Sequence, residues 1–394
     1  MNFIFISPNF PENYWHFCRE LKNNGVNVLG IGDCAYDKLT DELKGSLNEY
    51  YKVSDLENYD EVFRAVAFYA FKYGKIDFIE SNNEYWLERD AKLRTEFNVQ
   101  GLKSRDMSKI KYKSKMKRYY KKAGIKTARY YLVKSLAGCK KFIEEVGYPV
   151  IVKPDNGVGA SCTYKLKNED ELISFYNTKP PVLFIMEEYI DGVVQTYDAI
   201  VDGNGNPVFE TGNVTVDSCM DTVNSGGNFA FYILNEPYAD VRDAGRRTLK
   251  AFGVRNRFVH FEFFRLGSDQ YMGKKGEVVA LEVNMRPSGG ISPDMMNYAN
   301  STDIYKIWAD VMTYGSSLVG CGERFYCGFA GRRNGKQFKY SEQQIKDMYA
   351  THIKAVEKVP DVLAPIMGNL MFIANFKKES ELEKFYKDVF APQN

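Results

Sequence analysis

The sequence predicts a mixed α/β and α+β protein: an N-terminal parallel sheet with helices on its faces, a longer segment containing antiparallel strands, and a small C-terminal α/β appendage. Three patterns predict it. Residues 1 to about 100 alternate apolar, β-branched or aromatic runs with helix-period stretches, the mark of a parallel sheet. The runs RFVHFEFFRL (257–266) and GEVVALEVNMRPSGG (276–290) are joined by the polar, glycine-containing GSDQYMGKKGE, which reads as a hairpin connection. From about 321 onward CGFAGRR, a helical stretch near 341–357, LMFIANF and a last helical stretch repeat the α/β character on a smaller scale.

Taken in order, NFIFIS is the first strand. PENYWHFCRELKNNG has helical spacing and stops at Asn24-Gly25. VNVLGIG is the second strand, YDEVFRAVAFYAFKYG a helix, and KIDFIES a strand followed by the helical NNEYWLERDAKLR. Ligands on such sheets sit at the carboxyl ends of strands. That places Ser7–Phe10 and Glu80–Glu84 on the functional edge, unless both are ordinary βα loops. KSKMKRYYKKAGIKTARYYLV opens with a lysine-rich helix ended by Gly124; from composition such a helix is a solvated face. KKFIEEVG is a short helix, YPVIVKP a strand, and PVLFIMEEYI a strand ending in paired carboxylates. TYDAIVDGNGNPVFE reads as a hairpin around a Gly-Asn-Gly turn, and DVRDAGRRTLKAFG as the helix before residue 257.

Composition narrows the function. With 394 residues the chain has room for two or three domains and a sizeable core. Its 53 basic and 51 acidic residues leave a net charge of +2, so no basic field points to nucleic acid. The seven cysteines form no CxxC pair and read as free thiols of a reducing compartment. The start MNFIFISPNF lacks a basic n-region, and no run approaches a membrane span, so a cytoplasmic protein is expected. Three histidines exclude most His-rich metal sites. HExxH, GxSxG and GxxxxGK[ST] are absent, and DGNGNP lacks the third glycine of GxGxxG, which demotes a nicotinamide oxidoreductase.

Glu262 carries the first chemical signal. Period two puts Phe261 and Phe263 on one strand face and His260, Glu262 and Phe264 on the other. A carboxylate within a sheet is costly to desolvate without a strong partner. In the next strand Glu282, Asn284 and Arg286 are spaced i, i+2, i+4 and share a face. Antiparallel pairing would set Glu262 beside Glu282 and Asn284. Two carboxylates and an amide oxygen form a hard-oxygen set suited to Mg²⁺, and an arginine two residues on could hold a phosphate or anionic intermediate. The bland alternatives are a polar sheet face in water and a buried Glu282–Arg286 ion pair.

Two further stretches add to this. In YPVIVKPDNGVGASCTYKL (148–166) a strand ends in Lys153, then a loop with Gly157, Gly159 and Ser161 returns into a strand; glycines let backbone N–H groups wrap phosphate oxygens. In FIMEEYIDG (184–192) a strand ends at Glu187, where free backbone groups could meet a purine edge. Alone, each also reads as an ordinary hairpin loop or strand end.

In order and approximate spacing these pieces resemble the ATP-grasp superfamily across nearly the whole chain. The resemblance implies a pre-grasp Rossmann-like domain over 1–104, a two-lobed ATP-grasp domain over 105–320 with a lid at about 127–190, and a C-terminal subdomain over 321–394. It implies ATP and Mg²⁺ (or Mn²⁺) as cofactors. Glu262, Glu282 and Asn284 take the metal roles and Arg286 steadies an acyl phosphate. Lys153 and Lys113 take the phosphate-binding lysine roles, with Lys117 the competitor of Lys113. Glu187 to Ile190, hence also Glu188 and Tyr189, match the adenine hinge, through the Glu187 carbonyl and the Ile190 N–H. The pattern departs at Val194, where many members carry a ribose-binding Glu; Glu188, Gln195 or Asp198 are the substitutes. The implied activity is ligation of a carboxylic acid to an amine or thiol with ADP and phosphate as products. Bicarbonate activation in the manner of biotin carboxylases and a non-catalytic nucleotide-binding module are the rivals, and a homodimer is a compatible assembly. Arg332, Arg333, Asn83 and Glu84 are candidate substrate contacts.

Overall fold

The computed structural model describes residues 1–157, 162–216 and 227–393. Four strands, β1 (Asn2–Ile6), β2 (Asn27–Gly32), β3 (Glu49–Lys52) and β4 (Phe78–Glu80), form a parallel sheet in the order β3-β2-β1-β4. Its central strands are buried on both faces, from Phe3 to Ile6 and at Val28, Leu29 and Ile31. Helices α1 (Trp15–Asn23), α2 (Asp41–Ser46) and α3 (Tyr59–Tyr73) connect the strands, and α4 (Leu87–Glu96) follows β4. Strand β3, EYYK, escaped the sequence reading because it is polar and half-exposed, as suits a sheet edge.

Helices α5 (Ser104–Lys111) and α6 (Lys113–Lys122) lead into a small antiparallel sheet. Its strands β5 (Tyr130–Leu132), β6 (Val150–Pro154), β7 (Tyr164–Leu166) and β8 (Phe184–Glu188) lie in the order β5-β8-β6-β7. Helices α7 (Leu136–Val146) and α8 (Glu169–Thr178) pack Phe142, Ile143 and Phe175 against its Val150, Val152 and Phe184.

The third sheet has nine strands. β9 (Gly192–Val201) and β10 (Pro207–Thr211) form the expected hairpin; Asp202 accepts the Asn204 and Asn206 N–H groups at 2.8 and 2.7 Å, and Gly205 takes φ +88°. β11 (Asn213–Thr215) and β12 (Phe229–Ile233) follow, then α9 (Ala239–Phe252), β13 (Arg257–Leu266) and β14 (Val278–Asn284). β13 pairs antiparallel with β9 on one side and β14 on the other. After α10 (Ser292–Asn300) and α11 (Ile304–Tyr314), strands β15 (Tyr326–Arg332), β16 (Ile353–Lys358) and β17 (Leu370–Phe376) lengthen this same sheet through β12. They build no separate sheet, because the fully buried FAFYI of β12 would otherwise leave a bare edge. The helix expected near 341–357 stops at Met348 as α12 (Glu342–Met348), and β16 takes its second half. α13 (Ala364–Met367) and α14 (Glu379–Phe390) complete the tail.

Phe3, Phe5 and Phe17 belong to the same apolar cluster as Trp308 of α11 and Ile200, Phe231 and Phe258 of the large sheet. The two sheets therefore share one core. A buried charged cluster also joins them. At the end of β4, Glu80 is 3% exposed and receives Arg257 Nη1 at 2.8 Å and Arg94 Nη1 at 3.1 Å. Arg257, the first residue of β13, also reaches the Met285 carbonyl at 3.4 Å. Asp90, fully buried beside them, accepts the Ser81 hydroxyl at 2.6 Å.

Burial, against the pull of Arg94, raises the Asp90 carboxyl from the ordinary 3.8 to about 7. A folded pKa above the unfolded one means tighter proton binding in the native state. Asp90 therefore favours folding below about pH 4, and this contribution is lost as the pH rises through 7. Asp90→Asn keeps an acceptor for Ser81 without the charge. It is expected to be more stable than the wild type at pH 8 by on the order of 2 kcal/mol, with the advantage gone at pH 4; urea unfolding at the two pH values checks this.

Candidate active site

The strand pair β13–β14 sets Glu262 directly opposite Glu282 and His260 opposite Asn284. The ladder shifts immediately after Glu262, where Phe263 pairs with Ala280. Phe261 and Phe263 are fully buried on the other face, while the Glu262 and Glu282 side chains remain 27% and 23% exposed to the cleft. Like charges directly opposed across strands repel. The surroundings supply cations on both sides. Lys113 Nζ lies 3.0 Å from Glu282 Oε1, and His260 Nε2 lies 3.3 Å from Glu262 Oε1. No Glu282–Arg286 pair forms.

His260 is itself held from behind. Its Nδ1 lies 2.7 Å from Asp198 Oδ1, and the Thr196 hydroxyl donates to the other Asp198 oxygen. Burial disfavours the imidazolium, but Asp198 and Glu262 outweigh it and lift the ring to about 9. Burial likewise raises the Glu262 carboxyl, and the His260 hydrogen bond, with the charges of His260, Arg286 and Lys153, holds it below the usual range. Asn284 Nδ2 is 3.5 Å from Glu262 Oε1.

The lysine-rich helix α6 lines the cleft. Met116 and Tyr120 seat it in the core, and this turns Lys113, 6% exposed, and Lys117 inward from one face. Its N-terminus is fixed by Asp155, at the end of β6: the Ser114 N–H and hydroxyl each donate to that carboxylate at 2.8 Å. Lys113 also reaches the Gly157 carbonyl at 3.4 Å. Lys117 and Lys153 lie 2.5 and 2.8 Å from the two oxygens of Glu187. Burial would raise the Glu187 carboxyl, yet these two ammonium groups pull it down to about 2. Burial would lower Lys153, but Glu187, Glu282 and Glu262 outweigh it and hold the ammonium above the usual range. Lys113 and Lys117 thus both belong to the cleft, each with its own carboxylate.

Arg286 follows β14 and stands 18% exposed, with Nη1 donating to the Pro287 carbonyl at 2.8 Å. Opposite it is the carboxyl edge of the N-terminal sheet. Glu84 lies there, 3.7 Å from Arg286 Nε through Oε2 and 2.6 Å from Lys111 Nζ through Oε1. The expectation that Glu80–Glu84 form the functional edge thus splits. Glu80 is consumed by Arg94 and Arg257, whereas Glu84 faces Arg286.

Several expectations need correction. Asp198 cannot serve a ribose, since it is fully buried with both oxygens engaged. Glu188 is gripped by Arg129 at 2.6 Å, and Gln195 accepts from Arg265 Nε at 2.9 Å. β8 runs one residue further than expected, to Glu188, and Glu187 is paired on both sides, with Tyr130 and Ile151. Its backbone is therefore committed to the sheet, and its side chain is what the cleft gains. The first main chain beyond the strand is that of Tyr189, whose ring lies under Lys165 at 3.9 Å, and of the buried Ile190. Arg333 caps the end of α13, donating to the Ala364, Pro365 and Ile366 carbonyls. Arg332 is buried against Phe338 and Phe372. Neither is a substrate contact. Gly159 and Ser161 lie outside the described residues.

Sequence reasoning missed the Glu187 side chain, the Asp198–His260 pair and Lys111. His260 stood two residues before Glu262 on the same face, a usable signal; the partners of the others sit on different elements. Among the described residues no three His, Cys, Asp or Glu side chains gather as a metal-binding set. Glu262, Glu282 and the Asn284 amide nevertheless form an oxygen-donor group on one open face. That chemistry fits a hard divalent ion completing its shell with water and phosphate oxygens.

Comparison with known proteins gives a consistent picture. Residues 111–290 match the family model of the ATP-grasp domain. The chain is 24% identical over 300 residues to the L-arginine-specific L-amino acid ligase of Bacillus subtilis, covering 74% of this chain and 70% of that one. The structure resembles the L-amino acid ligase from Bacillus licheniformis, with a TM-score of 0.70 at 16% identity over 100% of this chain and 99% of that one. It also resembles the biotin carboxylase domain of the Hydrogenobacter thermophilus 2-oxoglutarate carboxylase, a dimer in complex with MgADP, ADP and bicarbonate. There the TM-score is 0.69 at 15% identity, over 95% and 86% of the two chains. No helix among the described residues is long and apolar enough to cross a membrane. Residues 111–290 thus match an ATP-grasp domain, and the fold of the whole chain is shared with the L-amino acid ligase structure.

Proposed function

We propose that the chain is an ATP-dependent ligase that activates a substrate carboxylate as an acyl phosphate and passes the acyl group to an amine. The observation that carries this reading is the convergence of Lys113, Lys153, Glu262, Glu282, Asn284 and Arg286 on one cleft. A carboxylate oxygen of the acid attacks the γ-phosphorus, the bond from that phosphorus to its bridging oxygen breaks, and ADP leaves. The amine then attacks the acyl carbon, phosphate leaves, and the amine releases a proton. A thiol would serve as nucleophile in the same way.

The protein's part is mostly placement and charge neutralisation. Lys113 and Lys153, with the loop of Gly157, Gly159 and Ser161, would hold phosphate oxygens. The main chain at Tyr189 and Ile190 would meet the adenine edge. Glu262, Glu282 and Asn284 would hold Mg²⁺ or Mn²⁺, which when bound neutralises charge on the phosphates. Arg286 faces the developing charge at the acceptor end and offers a planar fork. Asp198 orients His260, which fixes Glu262. Bicarbonate activation is the second reading, favoured by the likeness to the biotin carboxylase domain; ATP turnover requiring bicarbonate and biotin would select it.

The test of the main reading is product analysis with hydroxylamine replacing the amine. ADP, phosphate and a hydroxamate are expected, and AMP with pyrophosphate would sink the acyl-phosphate mechanism. Arg286→Lys keeps the charge but loses the fork, so kcat should fall on the order of 10²-fold with little change in the KM for ATP. Glu282→Gln should abolish turnover at low Mg²⁺ while circular dichroism shows the fold retained. Glu187→Gln leaves two buried lysines without an anion. Its stability should drop by roughly 3 kcal/mol, and saturating Mg-ATP should raise the melting temperature more for this variant than for the wild type.

A further inference from the structure

Glu84 has no part in the steps above, yet it is built into the acceptor end of the cleft. Lys111, 4% exposed, fixes one of its oxygens at 2.6 Å. The other, Oε2, is buried, receives no hydrogen bond, and looks at Arg286 Nε across 3.7 Å, beyond hydrogen-bond reach. Asn82 Nδ2 and Asn9 Oδ1, just past the ends of the paired strands β4 and β1, are also buried without partners. Buried polar atoms left unpaired on a ligand-binding edge call for a polar ligand.

Charge decides which ligand. An acid whose carboxylate comes to Arg286 for activation brings that carboxylate close to Glu84 Oε2. Two like charges repel strongly in so enclosed a place. An ammonium group next to the carboxylate turns the repulsion into attraction and gives Oε2 the donor it lacks. A zwitterion then matches the Glu84–Arg286 pair charge for charge. We propose that Glu84 is the specificity residue for the acid substrate, receiving an ammonium group borne beside the carboxylate, and that the acid is accordingly an α-amino acid. The inference rests on the ligase reading and assigns the acid side of it; the nucleophile is left unrestricted.

The experiment removes the nucleophile's influence. With hydroxylamine as acceptor, hydroxamate and ADP are measured for a panel of α-amino acids and their des-amino counterparts, such as alanine against propanoate and phenylalanine against 3-phenylpropanoate. The wild type should favour the amino acids by on the order of 10²-fold or more in kcat/KM, because a site built for a charged donor rejects the analogue lacking it. Glu84→Gln should cut that preference at least tenfold, chiefly through the KM for the amino acid, with the KM for ATP unchanged. Glu84→Asp should restore part of it. Equal use of both acid types by the wild type overturns the inference while leaving the ligase reading intact, and does so even if Glu84→Gln fails to fold. A Glu84→Gln enzyme that keeps the full preference with hydroxylamine and loses activity only with an amine overturns it too, and moves Glu84 to the nucleophile's side. No hydroxamate or ADP from any acid overturns the ligase reading, and this inference with it.

Discussion

Two carboxylates stand opposite one another across an antiparallel strand pair, and much of the cleft is arranged around their repulsion. Glu262 and Glu282 cannot turn away, because the other face of β13 is filled by Phe261 and Phe263. A single-residue slip would exchange those faces wholesale. Cations therefore come to the carboxylates: Lys113 from a helix, His260 from the same strand, Arg286 and Lys153 from further off. The Asp198 carboxylate behind His260 stabilises the imidazolium form. The result is a dense, alternating charge field in place of a bare acidic patch.

The same logic explains how three sheets meet at one place. α6 starts against Asp155 of the small sheet and sends Lys113 to the large sheet and Lys117 back to Glu187. Lys113 and Lys117 are thus held in the cleft by carboxylates of two different sheets.

The N-terminal sheet is fixed to the rest by the Glu80 cluster. A guanidinium that opens β13 grips the last carboxylate of β4 and, through the Met285 carbonyl, the residue before Arg286. Such a buried pair adds little net stability once desolvation is counted. Its consequence is geometric. It sets the loop bearing Asn82 and Glu84 against Arg286, so the Arg286 end of the cleft is shared between two sheets.

Much of this was legible in the residues. Alternating apolar runs foretold the parallel sheet, and period two in HFEFF and LEVNMRP foretold that Glu262, Glu282 and Asn284 would share a face, because strand periodicity is a local property. The lysine-rich helix misled on composition: a solvated face and a cleft-lining face read alike until Met116 and Tyr120 find their core. Asp198 read as one of three candidate ribose contacts and is buried against His260, and Arg333 read as a candidate substrate contact and caps a helix. The Glu84–Lys111–Arg286 arrangement joins a loop, a helix end and a strand end far apart in the chain. Local sequence determined which residue types stood at each strand face and helix end; only the tertiary structure decided which charges would meet, because ion pairing depends on distances between elements that no local pattern encodes.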